Sequence, residues 1–377
     1  MQVSDKVLTA IGLMSSPLVD GVRAAVMRTD GLGEIEQGPS VFYPYPRETK
    51  VNIRRAIKAA REGLDEAESI AKALDDVTTA HIKASLRLME KAYLTRDEVD
   101  VIGMHGHSIL HKPSPSKDVI GRSWQIGSAS IVATELRIDV VSEFRQEDIE
   151  RGGRGMPLMP VYIAGLVAKL DRDKSICVLN ISDKAEVTYV PASCRPEEMV
   201  SFDAGPGSNL VDEWVHFHTG EIDDLGKTAA LGTVDEEAVK LMALNPYFRR
   251  SAPKYLDGYD FKMKAIEHLS VEDGAATLTA LAAEALEKAS EVLPDAPEGW
   301  IVCGSGRHND IFMKELEARM EAPFVTAEEA GWQSDDLHAQ AMAYLAVRSL
   351  KKLPITYPKT TKAPHPLTGG VYSRAPV

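Results

Sequence analysis

Residues 200–209 read VSFDAGPGSN, and this stretch decides how the rest of the chain is understood. An apolar lead-in predicts a strand that carries Asp203 to its end, followed by a Gly-Pro-Gly turn. Such a turn leaves backbone N–H groups open beside a carboxylate, so an anion can approach closely. Asp203 is therefore a candidate catalytic acid or base. Asp is also a preferred helix cap, and capping of a helix beginning near Leu210 is the second role open to it.

Outward from that corner, the chain's 377 residues exceed the size at which one core usually stops growing. Two α/β lobes are expected, residues 1–170 and 171–377, with the C-terminal segment laid across the surface. With 44% hydrophobic and 26% charged residues, the composition is that of a globular enzyme. No apolar run approaches the roughly 20 residues that span a bilayer, and the start, MQVSDKVLTAIGLMSS, lacks the basic head of a signal peptide. The expectation is a cytoplasmic protein with no membrane partner. A formal charge of -13 without clustered Lys and Arg argues against nucleic acid as a partner. Cys177, Cys194 and Cys303 are widely spaced and form no metal motif.

Residues 7–14, VLTAIGLM, read as a buried strand, and a second strand follows the turn at Asp20-Gly21. This hairpin is suited to wrapping a phosphate and equally to being a plain turn. SICVLNISDKAEVTYV, residues 175–190, repeats the hairpin logic, so the two halves are expected to be built alike. Apolar residues at helical spacing predict one helix over 48–76 and another over 77–92. A strand then enters a polar turn at His105, Gly106, His107 and Ser108. His105, His107 and His111 lack the Cys or acid neighbours a metal needs, so a ligand-facing turn is expected there and no protein-built metal centre. Arg145, Arg151 and Arg154 among glycines either hold an anionic group or line an exposed loop. CGSGRHN, residues 303–309, leads from strand to helix, where free N–H groups would attract phosphate or ribose oxygens. Residues 335–351 predict a last amphipathic helix, and the tail PITYPKTTKAPHPLTGG an extended surface segment without chemistry.

Taken in order, IGLMSSPLVDGVRAAV, GMHGHSILH, QIGSASIVA, SEFRQEDIERGGRGMPLMP, LNISDKAEVTYV, FDAGPGSNLVD, the PYF and PK of LNPYFRRSAPKYLDGYDF, DGAATLTALAA, CGSGRHNDIFM and TKAPHPLTGG resemble the anhydro-N-acetylmuramic acid kinase family over nearly the whole chain. The resemblance implies the actin-like, sugar-kinase ATPase fold, two ribonuclease-H-like lobes around a cleft. It implies ATP and Mg2+ as cofactors, an anhydrosugar substrate and a homodimer. The implied reaction opens the 1,6-anhydro ring with water and phosphorylates the 6-oxygen, giving N-acetylmuramic acid 6-phosphate for peptidoglycan recycling. On matching positions, Asp203 is the catalytic carboxylate that takes a proton from water. Ser15, Asp20 and Gly21 would lie by the phosphates, Gly205 and Gly207 would line the cleft, and Gly304, Gly306 and Asn309 would contact nucleotide. His105, Gly106 and Arg145 would face the sugar.

The chain departs from the family pattern in its loops. The Ser-Gly-Thr-Ser turn is Ser15, Ser16, Pro17, Leu18; Gly-Gly-Ile-Ala-Asn is Ser182, Asp183, Lys184, Ala185, Glu186; and His338 stands where the family has Glu. Added carboxylates near ATP phosphates repel. Two readings follow, the kinase itself and a paralogue that keeps the cleft for sugar or nucleotide binding or for regulation.

Overall fold

The computed structural model describes residues 6–113, 120–256, 261–320 and 322–376. The first five residues of MQVSDKVLTAIGLMSS and the DGYD of the quoted stretch at 257–260 lie outside them. The chain divides into two compact units, Met1–Lys169 with Asp336–Val377, and Leu170–Asp335.

In the first unit, β1 (Leu8–Ser15), β2 (Gly21–Thr29) and β3 (Ile35–Pro44) form an antiparallel meander in which Leu8 faces Thr29 and Ser15 faces Val22. α1 (Arg47–Arg61) and α2 (Glu68–Ala92) follow. The sequence predicted the helix break near residue 76; it falls at 62–67, where Gly63 has φ +76 and turns the chain. α2 then runs on, with Ile70, Ala73, Val77, Ala80, Ala84 and Leu88 buried on one face. β4 (Val101–His105) pairs parallel to β1, and β5 (His107–Lys112) and β6 (Arg122–Ile126) form a separate ribbon. Ser128 caps α3 (Ala129–Leu136), and β7 (Val140–Ser142) lies parallel to β4. α4 (Gln146–Glu150) and α5 (Pro160–Val167) complete this stretch.

The second unit opens with β8 (Ile176–Ile181), β9 (Lys184–Val190) and β10 (Val200–Pro206), again an antiparallel meander. α6 (Asn209–Thr219), α7 (Glu236–Ala243) and α8 (Val271–Ser290) precede β11 (Gly299–Cys303), which pairs parallel to β8. α9 (Asp310–Arg319) leads to β12 (Phe324–Thr326), parallel to β11. The core lies between this sheet and α8 and α9, where Val187, Phe202, Leu286, Trp300 and Leu316 meet.

The chain then returns to the first unit as α10 (Leu337–Leu350), α11 (Pro358–Thr361) and β13 (Val371–Ser373). The expected second lobe ran to residue 377, whereas the second unit ends at Asp335. Glycine explains why α10 docks where it does. Gly12 and Gly103 are register partners on β1 and β4, and a Cβ at either would stand 1.7 Å from the Ala339 carbonyl oxygen or 2.0 Å from that of Met342. Only side-chain-free strand backbone lets the helix sit so close. The tail is not a surface strap: Thr360 and Thr361 are buried, Thr361 Oγ1 donates to Asp148 Oδ2 at 2.6 Å, and β13 pairs with β7. The buried Asp148 carboxylate takes that donor together with the Gly155 N–H at 2.6 Å.

Read from the meander outward, the sheets run β3-β2-β1-β4-β7 and β10-β9-β8-β11-β12, with the middle strand of each meander antiparallel to the other four. The first sheet is extended by β13. Each unit is thus ribonuclease-H-like, and the pair makes the actin-like, sugar-kinase ATPase fold. Among the described residues no helix is long and apolar enough to cross a membrane.

Candidate active site

In both sheets the parallel strands point their carboxyl ends the same way, and ligand sites of α/β sheets gather there. The predicted residues fall at those ends, in two groups, one per unit.

In the second unit Asp203 lies inside β10 rather than at its end, and the strand continues through Ala204, Gly205 and Pro206 with a register skip against β9. It does not cap α6, since its Oδ2 accepts the Leu256 N–H at 2.8 Å and lies 3.6 Å from Lys184 Nζ. Lys184 Nζ also donates to the Leu256 carbonyl at 2.7 Å, so acid, amine and the backbone of Leu256 close a ring. Burial pushes the Asp203 carboxyl above its ordinary range, and the Lys184 charge and Leu256 N–H pull against that.

The amides expected to be open are engaged. Gly207 and Asn209 N–H donate to the Asp183 carbonyl at 3.0 and 3.1 Å, and Ser208 N–H donates to the Ser182 carbonyl at 2.8 Å. The Ser182–Lys184 turn folds onto the Gly-Pro-Gly turn because both need partners for strand-end peptides. Gly205 packs toward Ala285 and Phe248.

Gly304 leaves β11 with φ +82 and ψ 170, a conformation reserved for glycine. A Cβ there would also meet the Ile181 carbonyl oxygen at 2.2 Å, and one at Gly306 would meet the Ile181 side chain at 2.1 Å. Asn309 caps α9, its Oδ1 accepting from the Ile311 and Phe312 N–H groups at 3.1 and 3.0 Å. The first amides of that helix are thereby satisfied, not bare as predicted. Gly207, Gly306 and Asn309 do come together around one notch of about 30 Å³ with Asp212 and Thr279. Arg307 braces the loop through the Gly304 carbonyl at 2.7 Å and Glu328 at 2.7 Å.

Sequence reading missed a polar row. Asp203 faces Glu186 across β10 and β9, Glu186 faces Asn180 on β8, and Asn180 faces Cys303 on β11. Cross-strand partners share a sheet face. The signal was present in SDKAE, but only the register shows which residue it meets.

In the first unit Ser15 ends β1, with its buried Oγ 2.6 Å from Tyr45 Oη and 2.9 Å from His107 Nδ1. The turn it enters is closed on itself, with Ser16 N–H donating to the Gly21 carbonyl at 3.1 Å and Leu18 N–H to Ser16 Oγ at 3.2 Å. Asp20 Oδ1 is buried with no hydrogen-bond partner among the described residues, and Gly21 begins β2. His105 ends β4 beside Met14, its Nδ1 2.8 Å from the Gly106 carbonyl and its Nε2 3.2 Å from Gln125 Nε2. Gly106 passes so close to Ile126 that a Cβ would meet its carbonyl oxygen at 2.3 Å.

Arg145 Nη1 donates to Ser108 Oγ at 3.3 Å, while Nε is buried with no partner among the described residues. Burial pulls its guanidinium down to about 10 and raises Glu143, each opposed by the other's charge. Burial, then the Arg145 charge, holds His105 well below the ordinary imidazole range, and burial holds His107 down at about 4. Both rings are therefore neutral at pH 7, able to donate and accept hydrogen bonds without charge. Of the other arginines, Arg151 pairs with Glu147 at 2.9 Å, and the Arg154 N–H donates to the Thr361 carbonyl at 2.8 Å. His338 stands in the first turn of α10.

A family model described as anhydro-N-acetylmuramic acid kinase matches residues 8–374. The chain belongs to that family. An anhydro-N-acetylmuramic acid kinase from Azorhizobium caulinodans is 40% identical over 373 residues, covering 97% of this chain and 98% of the relative. One from Rhodospirillum rubrum is 37% identical over 376 residues, covering 99% and 96%. Among solved structures, a ROK family glucokinase from Streptomyces griseus in complex with glucose and AMPPNP aligns over 90% of this chain and 99% of its own, at 13% identity and a TM-score of 0.39.

Proposed function

We propose that this anhydro-N-acetylmuramic acid kinase family member uses ATP and water to convert 1,6-anhydro-N-acetylmuramic acid to N-acetylmuramic acid 6-phosphate. The observation that carries the reading is Asp203, a buried carboxylate at the carboxyl end of a ribonuclease-H-like sheet, fixed by the Leu256 N–H and Lys184.

Asp203 takes the proton of the water that attacks C1. The C1–O6 bond breaks, O6 bonds to the γ-phosphorus, and the phosphorus–oxygen bond to the β-phosphate breaks to release ADP. Burial raises Asp203's proton affinity, which suits a base that must capture a proton from water. His105, Gly106 and Arg145 bind the sugar, with the Arg145 Nε toward the carboxylate that muramic acid carries. Ser15, Asp20 and Gly21 lie by the phosphates, and Gly205, Gly207, Gly304, Gly306 and Asn309 shape the nucleotide side.

Among the described residues no three or more His, Cys, Asp or Glu side chains form a group that could hold a metal ion. Mg2+ would accompany the nucleotide and neutralise its phosphate charge. A homodimer belongs to the same proposal and rests on the family resemblance.

The test is ADP release with ATP, Mg2+ and 1,6-anhydro-N-acetylmuramic acid, with Asp203→Asn alongside. Sugar-dependent release lost in the variant supports the reading. No sugar-dependent release by folded protein overturns it, and the binding-module reading then stands.

A further inference from the structure

The SDKAE turn places a second carboxylate beside the proposed base, where the family pattern has an amide. Glu186 is the register partner of Asp203 and is partly buried, flanked across the sheet by Asn180 and, beyond it, by the Cys303 thiol, which lies 3.9 Å from Asn180 Oδ1. Two ionised carboxylates on one face of adjacent strands repel strongly. Among the described residues the cation beside them is Lys184, whose ammonium is already shared between Asp203 and the Leu256 carbonyl.

We propose that Glu186 is a positioning residue that keeps its proton, so that Asp203 is the one ionised carboxylate of the row and nucleotide phosphate enters beside a site of low net charge. This rests on Asp203 being the catalytic carboxylate.

The surroundings of Glu186 fit that role from every side. From β10 it faces Asp203, and from its own turn Lys184 and Asp183. The Asp183 Oδ1 is folded back, accepting from Ser182 Oγ and the Lys184 N–H at 3.0 Å each. From β11 comes Cys303, whose thiol is pushed up to about 12 by burial and then by Glu186 itself, with Arg307 and Glu328 acting on it more weakly. Lys254, whose ammonium sits 5.6 Å over the Phe202 ring, lies on the opposite face of β10. Burial, then the Asp203 charge, raises the Glu186 carboxyl to about 8, against the pull of Lys184. Glu186 therefore does not repel phosphate at neutral pH, and it begins to do so only above its own titration.

The experiment measures affinity for ADP with Mg2+ by calorimetry from pH 6 to 9.5, for the wild-type chain, Glu186→Gln and Asp203→Asn. Linkage to one proton predicts wild-type affinity about tenfold weaker at pH 9 than at pH 7, and a flat profile for Glu186→Gln. Asp203→Asn removes the neighbouring negative charge, so its alkaline fall begins at lower pH. Thermal melts give a second readout: the margin by which Glu186→Gln outlasts wild type widens between pH 6 and pH 9. A wild-type profile that is flat, or that falls in parallel with Glu186→Gln, overturns the proposal, the latter because the falling group would lie elsewhere, as Lys254 does. Failure of the parent reading shows separately, as sugar-dependent turnover retained in Asp203→Asn at pH 7.

Discussion

Replacing Lys184 with Met removes the positive charge from the Asp203 corner while keeping the apolar stem. At a separation of 3.6 Å the bare attraction is about 4–5 kcal/mol for an effective dielectric near 20. Lys184 is 37% exposed, so solvent screens the pair and about 1 kcal/mol is the realistic contribution. That corresponds to somewhat under one pKa unit. Burial already holds Asp203 high and Lys184 opposes it, so losing Lys184 moves the carboxyl further up. A general base works only when ionised, so the acid limb of the kcat/KM profile shifts upward by about one pH unit, and turnover on that limb falls up to tenfold. Lys184 also lowers Glu186, so the alkaline limb shifts upward as well. Lys184→Arg retains the charge and leaves both limbs near their wild-type positions. The assay is initial-rate ADP release between pH 5 and 9.5 with ATP and sugar each varied. An acid limb unmoved in Lys184→Met, with a pH-independent rise in KM for ATP instead, would refute the reasoning, because Lys184 would then serve phosphate and not Asp203.

Gly304→Ala forces a Cβ into the Ile181 carbonyl at 2.2 Å from a backbone state essentially closed to alanine. A loss of roughly 2–4 kcal/mol in stability, with weakened ADP binding, is expected from melts and calorimetry. Gly63→Ala, with φ +76 but nothing within 4 Å, is the milder control, and equal losses in the two would contradict the packing argument. At the tail, Asp148 accepts the Gly155 N–H and the Thr361 hydroxyl, both at 2.6 Å, while 1% exposed. Asp148→Ala orphans two buried donors and should cost roughly 2–5 kcal/mol. Asp148→Asn keeps an oxygen for Gly155 and offers an NH2 to Thr361, which can accept; chemical denaturation showing the two variants equally stable would count against this clasp.

Much of the fold was legible in the chain because its strands alternate or run apolar and its turns carry Gly, Pro and Asp. The paired hairpins at 8–29 and 176–190 announced twin sheets, and the sheet orders bear that out. β3 escaped notice because IEQGPSVFYP mixes Gly and Pro into a strand only partly buried on either face. The tail misled because its burial depends on Asp148 and β7, partners far away in sequence. The acid at 203 stood out from its turn, yet its hydrogen bonds did not, since Leu256 and Lys184 reach it through tertiary folding. Open amides were expected at two glycine turns, and both are filled by nearby carbonyl or side-chain oxygens, Ser182 and Asp183 at one and Asn309 at the other. Local sequence shows which groups need partners and leaves open which partners they find.

The reaction proposed here has one isotopic signature. Turnover of 1,6-anhydro-N-acetylmuramic acid with ATP and Mg2+ in water enriched in oxygen-18, followed by mass spectrometry of the fragmented product, locates the solvent oxygen. The account predicts one label on C1 of the sugar and none in the phosphoryl group, with product formation abolished by Asp203→Asn. Label in the phosphate, or an unlabelled phosphorylated sugar, would contradict water attack at C1 with Asp203 as its base.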